Sequence, residues 1–213
     1  EINARFATNG LVLSHVLSQF INGKTNQKPY CGAHLKAMLS NLFKHFDHEK
    51  TLFILKGKEK GFDINMLQGI FKTNGFNIDI EIIKPDSLSM KKDQRLYSGS
   101  VLCEQLILEL HQDELCALPK NIVAYLIEKT NYINDVRDIF LVHDKRFLSI
   151  LTHHEIMLGY LPDASCKLLK KYIIETHSVN DKWLNSYEKQ YKSWVFKKYD
   201  SGKGDGMLFS HSM

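Results

Sequence analysis

A strand–helix–strand pattern in residues 51–84 constrains the fold of this chain more than any other feature. TLFILKG (51–57) is a nearly continuous apolar run, which is typical of a strand buried on both faces. Residues 63–74 repeat apolar side chains at helical spacing, and Gly75 follows where a helix commonly ends. NIDIEIIK (77–84) is a second strand. Because parallel strands need such a crossover helix, the pattern predicts an α/β fold with a parallel sheet.

Helical and extended segments alternate along the rest of the chain. Apolar spacing predicts further helices at residues 11–21, 33–46, 101–111, 121–129, 145–151, 164–172 and 182–190. Short extended runs predict further strands at residues 1–6, 96–97, 138–142 and 193–197. This alternation supports the α/β class.

The composition excludes several classes of function. The chain has 213 residues, 44% of them hydrophobic and 24% charged, which is enough to bury a substantial core. Its net charge of +4 is dispersed, so we expect no nucleic-acid partner. No apolar run approaches the ~20 residues that span a bilayer, so we expect no membrane association. The four cysteines are irregularly spaced, which favours reduced thiols in a cytoplasmic protein.

The segment WVFKKYDSGKGDGM (194–207) predicts a strand that runs into a glycine-rich loop. Gly202, Gly204 and Gly206 alternate with other residues, and Lys203 lies between the first two. Glycine allows backbone N–H groups to form a concave nest around a phosphate, and lysine adds positive charge. The spacing matches neither the P-loop nor the dinucleotide fingerprint. A flexible polar loop or a hairpin turn explains these residues equally well.

The N-terminal residues EINAR suggest a metal-binding strand. Alternate residues of a strand point to the same side, so Glu1 and Asn3 would present two oxygen ligands of the kind that Mg²⁺ prefers. Arg5 falls on the same side and could contact a phosphate or a carboxylate. An edge strand with its polar face in water explains the same pattern.

Asp144 and Lys145 follow the predicted strand 138–142 directly. Asp144 suits the N-cap of the next helix, and Lys145 would then lie near the end of the sheet where ligands of α/β proteins usually bind. An ordinary capped helix with solvated charges is the alternative.

In this order the motifs resemble the circularly permuted ATP-grasp superfamily, of the glutathionylspermidine synthase and glutathione-synthetase type. The resemblance implies an ATP-dependent carboxylate–amine ligase that acts through an acylphosphate. It implies Mg²⁺ binding by Glu1 and Asn3, and catalytic roles for Lys197 and Arg5. It also implies ATP binding by Lys145, Lys197, Ser201, Gly202, Lys203, Gly204 and Gly206. The implied partners are therefore ATP and small-molecule carboxylate and amine substrates.

The resemblance also divides the chain into three parts. Residues 1–50 correspond to the metal-ligand strand and helices of the ATP-grasp core. Residues 51–142 correspond to a pre-ATP-grasp substrate unit with a parallel sheet, and 143–213 to the start of the ATP-binding subdomain. Lys198 stands where the family usually has proline, and the adenine-binding hinge of the family would follow Met213. We therefore expect a truncated fragment.

Two other functions are consistent with the residues. A non-catalytic α/β module that binds a nucleotide or another partner fits Lys198 and the missing hinge. A Rossmann-like transferase would fit residues 51–84 alone, but no glycine fingerprint follows TLFILKG.

Overall fold

The computed structural model describes residues 6, 10–24, 35–73, 75–180, 194–200 and 206–209. The chain forms two compact units. One, the sheet unit, comprises Asn3–Ile139, and the other, the C-terminal unit, comprises Glu1–Ile2 with Phe140–Met213.

The described residues contain both helices and strands. The strands are β1 (Leu52–Lys56), β2 (Ile80–Ile83), β3 (Leu88–Met90), β4 (Leu96–Ser98), β5 (Val101–Leu102), β6 (Gln105–Glu109), β7 (Asn131–Ile133), β8 (Val195–Phe196) and β9 (Leu208–Phe209). The α-helices are α1 (Leu11–Lys24), α2 (Leu35–Phe43), α3 (Phe62–Thr73), α4 (Gln112–Ala117), α5 (Lys120–Lys129), α6 (Phe147–Thr152), α7 (His154–Leu158) and α8 (Asp163–Tyr172). A 3₁₀ turn (Pro85–Ser87) and a π-helical turn (Asp138–Val142) complete the set.

A four-stranded parallel sheet forms the centre of the sheet unit, in the order β2-β1-β6-β7. Helix α3 connects β1 to β2, so the prediction of a strand–helix–strand unit in an α/β fold is confirmed. Gly75 has a φ of +77° at the end of α3, and the N–H of Phe76 donates to the carbonyl of Phe71 at 3.0 Å. This is the glycine-terminated helix end that the sequence predicts.

Both faces of the parallel sheet are covered by apolar side chains. Leu52 and Ile54 of β1 pack in a cluster with residues of α2 and α3. Phe53 and Leu55 point to the opposite face and pack in a second cluster with residues of α4 and α5. Because successive strand residues alternate between faces, an uninterrupted apolar strand is what a sheet buried on both sides requires.

The helix predicted for residues 101–111 is wrong. This segment forms β5 and β6, and all five residues of β6 are buried. Strand β6 lies between β1 and β7, where both of its faces contact the core. A short continuous apolar run is compatible with a buried helix or a buried strand, and its position inside the sheet decides between them.

The strand predicted for residues 138–142 is also wrong, because these residues form the π-helical turn. The edge position beside β6 is occupied instead by β7, in which Asn131 is aligned with Gln105. Within the turn Ile139 is buried, whereas Leu141 is 63% exposed. A turn needs only one buried side chain to hold it against the core, so the apolar character of this run does not require a strand.

The C-terminal unit contains α6, α7 and α8, which contact one another, and an antiparallel hairpin of β8 and β9. Cys166 of α8 and Met157 of α7 are buried. The predicted helices at 145–151 and 164–172 correspond to α6 and α8, whereas the one at 182–190 lies outside the described residues. None of the helices that the structure describes has the length and apolar character needed to cross a membrane.

Asp63 of α3 fixes the start of α1. Its carboxylate accepts hydrogen bonds from the backbone N–H of Gly10 and, at 3.2 Å, from that of Leu13. These amides belong to the first turn, whose N–H groups have no partner within the helix. Asp63, which is only 9% exposed, therefore acts as an N-cap supplied by another helix.

Replacing Asp63 by alanine should lower the free energy of unfolding by about 1–2 kcal/mol, because two helix-start amides lose a charged acceptor. Urea denaturation followed by circular dichroism measures this loss. Asp79→Ala is a matched control, since that carboxylate makes an exposed hydrogen bond of 3.1 Å to Thr51 and its loss should change stability by less than about 0.5 kcal/mol. Equal losses in the two variants would contradict the capping role.

Candidate binding surfaces

The strand order places a possible ligand site at the carboxyl edge of the parallel sheet. Strand β1 pairs with β2 on one side and with β6 on the other. The chain order therefore reverses between β1 and β6, and ligands of open α/β sheets usually bind outside the carboxyl ends of such strands. Here these ends lead into Gly57 and Lys58 after β1, and into His111 after β6.

Glu114 of α4 occupies this position. Its carboxylate accepts hydrogen bonds from the backbone N–H of Lys58 at 2.7 Å and from that of His111 at 3.0 Å. A Cβ atom added at Gly57 would lie 1.9 Å from the same carboxylate, so glycine is what permits this approach. The side chains of His111 and Glu59 lie 3.2 Å apart and cover the site further. Two backbone amides that this edge could offer to an anionic ligand are therefore bonded to a side chain of the chain itself.

An open groove lies at the opposite, amino edge of the sheet, with a volume of about 930 Å³. One wall is a face of α5 that includes Tyr125 and Glu128, and the other is the β3–β4 turn with Lys91 and Arg95. Glu104, which precedes β6, lies at its base. No sequence pattern predicts this groove. The polar, basic turn KKDQR (91–95) between two strands was the available signal.

Helix α1 exposes an apolar face. Its exposed apolar side chains, with their exposed fractions, are Leu13 (60%), Val16 (39%), Leu17 (54%), Phe20 (63%) and Ile21 (36%). Val12, by contrast, is fully buried. The spacing i, i+3, i+4, i+7 and i+8 places the five on one side of the helix. The sequence predicted the helix, but periodicity does not tell which apolar residues face the core.

Most of the predicted ATP and Mg²⁺ ligands lie outside the described residues. These are Glu1, Asn3, Arg5, Ser201, Gly202, Lys203 and Gly204. In the described part of the C-terminal unit, the backbone N–H of Lys145 donates to the carbonyl of Tyr199 at 3.1 Å. The segments that contain Lys145 and Lys197 are therefore neighbours, and Lys197 is exposed. Their assignment to ATP stays a prediction.

Two antiparallel strands flank the glycine-rich segment. Val195 of β8 is aligned with Phe209 of β9, and residues 201–205 between these strands lie outside the described residues. Gly206 has a φ of +64° and lies against the aliphatic part of Lys198. In the parts of the chain that the structure describes, no group of three or more His, Cys, Asp or Glu side chains is arranged to hold a metal ion.

A comparison with family models tests the resemblance to the ATP-grasp superfamily. The model described as the AnkG N-terminal domain matches residues 1–141. The chain belongs to the AnkG N-terminal domain family. No curated protein matches it.

Membership of the AnkG N-terminal domain family corrects two inferences from the sequence. The resemblance to the ATP-grasp superfamily is wrong, because the match covers residues 1–141 and thus both the EINAR segment and all but the last residue of the predicted substrate unit. The ATP-dependent ligase that the resemblance implied is wrong for the same reason. The motifs that suggested it are a few residues each, and common features such as alternating polar residues or a glycine-rich hairpin produce them without shared ancestry.

Proposed function

We propose that this chain is a non-catalytic binding domain that presents helix α1 to a groove on a partner protein. The observation that carries the proposal is the exposed apolar face of α1. Amphipathic helices that bind in grooves use anchors at positions i, i+3, i+4 and i+7, and Leu13, Leu17 and Phe20 fall on this pattern together with Val16.

The size of the face supports a binding role. Its five apolar side chains are each between 36% and 63% exposed on one side of the helix, and contiguous exposed apolar patches are often functional. Phe20 is the one aromatic residue of the five and the most exposed of them, and aromatic residues are frequent energetic hot spots. The partner surface that fits this face is an apolar groove.

Two further observations favour a non-catalytic domain in a reducing compartment. At the carboxyl edge of the sheet the carboxylate of Glu114 accepts hydrogen bonds from the backbone amides of Lys58 and His111, so a substrate phosphate would have to compete for these two donors. Cys103, Cys116 and Cys166 are free thiols, and burial raises the pKa of the Cys103 thiol to about 12, which keeps it protonated and unreactive. We propose that the domain acts in the cytoplasm.

A site-specific cross-linking experiment tests the role of α1. A photoreactive amino acid at position 17 of the full chain should capture one partner, which is then purified and titrated by calorimetry. Phe20→Glu should weaken that complex by about tenfold or more, because it places a charge at the centre of the apolar face. Gln19→Glu adds the same charge at the neighbouring exposed position and should change the Kd by less than twofold.

Equal affinities for Phe20→Glu and Gln19→Glu would contradict the proposal. Cross-links formed only between copies of this chain would also contradict it, since the face would then mediate self-association. Circular dichroism of both variants confirms that α1 still folds.

A further inference from the structure

The groove at the amino edge of the sheet carries an excess of positive charge. Its basic side chains are Lys50, Lys91, Arg95 and Lys129, and its acidic side chains are Glu104 and Glu128. Four positive and two negative charges give a net charge of +2. All of these residues belong to the sheet unit. A groove with this balance attracts ligands of negative charge.

Glu104 forms ion pairs with two of the basic side chains at the base of the groove and so competes with a ligand for them. Its carboxylate lies 3.3 Å from Nζ of Lys50 and 3.6 Å from a guanidinium nitrogen of Arg95. All three side chains are more than one-third exposed, so water screens these pairs and an incoming carboxylate can compete for the cations.

The other two basic side chains, Lys91 and Lys129, lie on the two walls of the groove. The ammonium group of Lys91 lies 3.9 Å from the centre of the Tyr97 ring. This cation–π contact holds the Lys91 side chain against strand β4. Lys129 ends α5 on the opposite wall. The basic residues that line the groove therefore come from a strand end, the β3–β4 turn and helix α5.

Gln94 lines the groove in a conformation that glycine adopts more easily. It has a φ of +60° in the turn between β3 and β4, and its N–H donates to the carbonyl of Lys91 at 2.9 Å. Three-residue hairpin turns of this kind favour glycine at the left-handed position. Gln94 therefore places a long amide side chain at a turn position that glycine usually takes, and this residue lines the groove.

We propose that this groove binds an acidic peptide segment in an extended conformation. The lining residues of α5 extend from Asn121 to Lys129, which corresponds to about 12 Å along the helix axis. A groove of that length holds about four extended residues. Because the basic side chains lie on three separate elements, they match several carboxylates along a peptide better than they match a single phosphate group. Met90 and Ala124 provide apolar contacts for the alternate side chains of such a strand.

Fluorescence anisotropy on the full chain tests this proposal. The probe is a fluorescein-labelled hexapeptide of alternating glutamate and leucine, with a lysine–leucine hexapeptide as its charge-reversed control. Lys129→Gln should weaken binding of the acidic probe about three- to fivefold, the loss of one exposed ion pair. Lys120→Gln removes the same charge from the same helix at a position outside the groove lining, and should change the Kd by less than twofold.

Two further variants give results that a general charge effect or a folding defect would not. Glu104→Gln should tighten binding about twofold or more, because the net charge of the groove rises to +3. Gln94→Gly should weaken binding while its Tm is at least that of the wild type, since glycine suits the left-handed turn position.

Four outcomes would overturn the proposal. They are tight binding of the lysine–leucine peptide, equal effects of Lys129→Gln and Lys120→Gln, weaker binding by Glu104→Gln, and binding of tripolyphosphate without binding of the acidic peptide. The last result would assign the groove to a phosphate-bearing ligand instead.

Discussion

Replacing Phe43 by alanine is expected to lower the free energy of unfolding by about 3–5 kcal/mol. Phe43 ends α2 and is fully buried. Its ring centre lies 4.1 Å from that of Phe71 at an interplanar angle of 72°, and Phe46 and Phe76 lie within 6.1 Å. Truncation leaves a cavity and removes edge-to-face contacts that contribute beyond buried area.

A loss of this size is a large part of the roughly 5–15 kcal/mol that stabilises a typical domain. Urea denaturation of the full chain, followed by far-UV circular dichroism, measures it. Phe20→Ala is the matched control, because that ring is 63% exposed and its removal should change stability by less than about 0.5 kcal/mol. A loss below about 1 kcal/mol for Phe43→Ala would contradict the packing described here.

The second large effect concerns a buried amide. Gln105 begins β6 and is 2% exposed. Its side chain accepts a hydrogen bond from the N–H of Asp47 at 2.9 Å and donates to the carbonyls of Asp47 and Lys50 at 2.8 and 2.9 Å. It therefore holds the turn that precedes β1 against the start of the neighbouring strand.

Gln105→Leu should lower the free energy of unfolding by about 2–4 kcal/mol. The leucine fills a similar volume but removes the hydrogen-bond partners of the Asp47 N–H and the Lys50 carbonyl, and each unsatisfied group costs about 1–3 kcal/mol when buried. The carbonyl of Asp47 keeps a hydrogen bond from the N–H of Lys50. Gln68→Leu is the control, because Gln68 is exposed and its amide donates one hydrogen bond, to the carbonyl of Ile80 at 3.2 Å. Chemical denaturation of both variants should show a clearly larger loss for Gln105→Leu. Equal losses would show that the three hydrogen bonds contribute little.

Local sequence predicted the elements whose signals are local. The strand–helix–strand unit was identified because its strands are apolar, its helix is periodic and Gly75 marks the helix end. Strand β6 was mistaken for a helix because its apolar run has no period of its own, and only pairing with β1 and β7 defines it. The apolar run at 138–142 predicts a strand but forms a turn, because β7 already occupies the edge of the sheet.

The binding surfaces were less predictable, because they depend on which elements meet. The apolar spacing of α1 was visible in the sequence, but the burial of Val12 and the exposure of Phe20 follow from tertiary packing. The groove combines Lys50, Arg95 and Lys129 from distant parts of the chain. No spacing rule connects such residues. The short motifs, in contrast, suggested a relationship that the match to the AnkG N-terminal domain family overturns.

The position of Glu114 limits what the sheet topology implies about a ligand. The amides of Lys58 and His111 are donors of the kind that bind phosphate in many nucleotide-binding proteins, yet here both are taken by a carboxylate of the same chain. The protein carries a built-in anion where relatives in architecture receive one from solution. A nucleotide phosphate would have to displace the carboxylate of Glu114, which is also negatively charged and is covalently part of the chain. A shared sheet topology therefore does not imply a shared ligand.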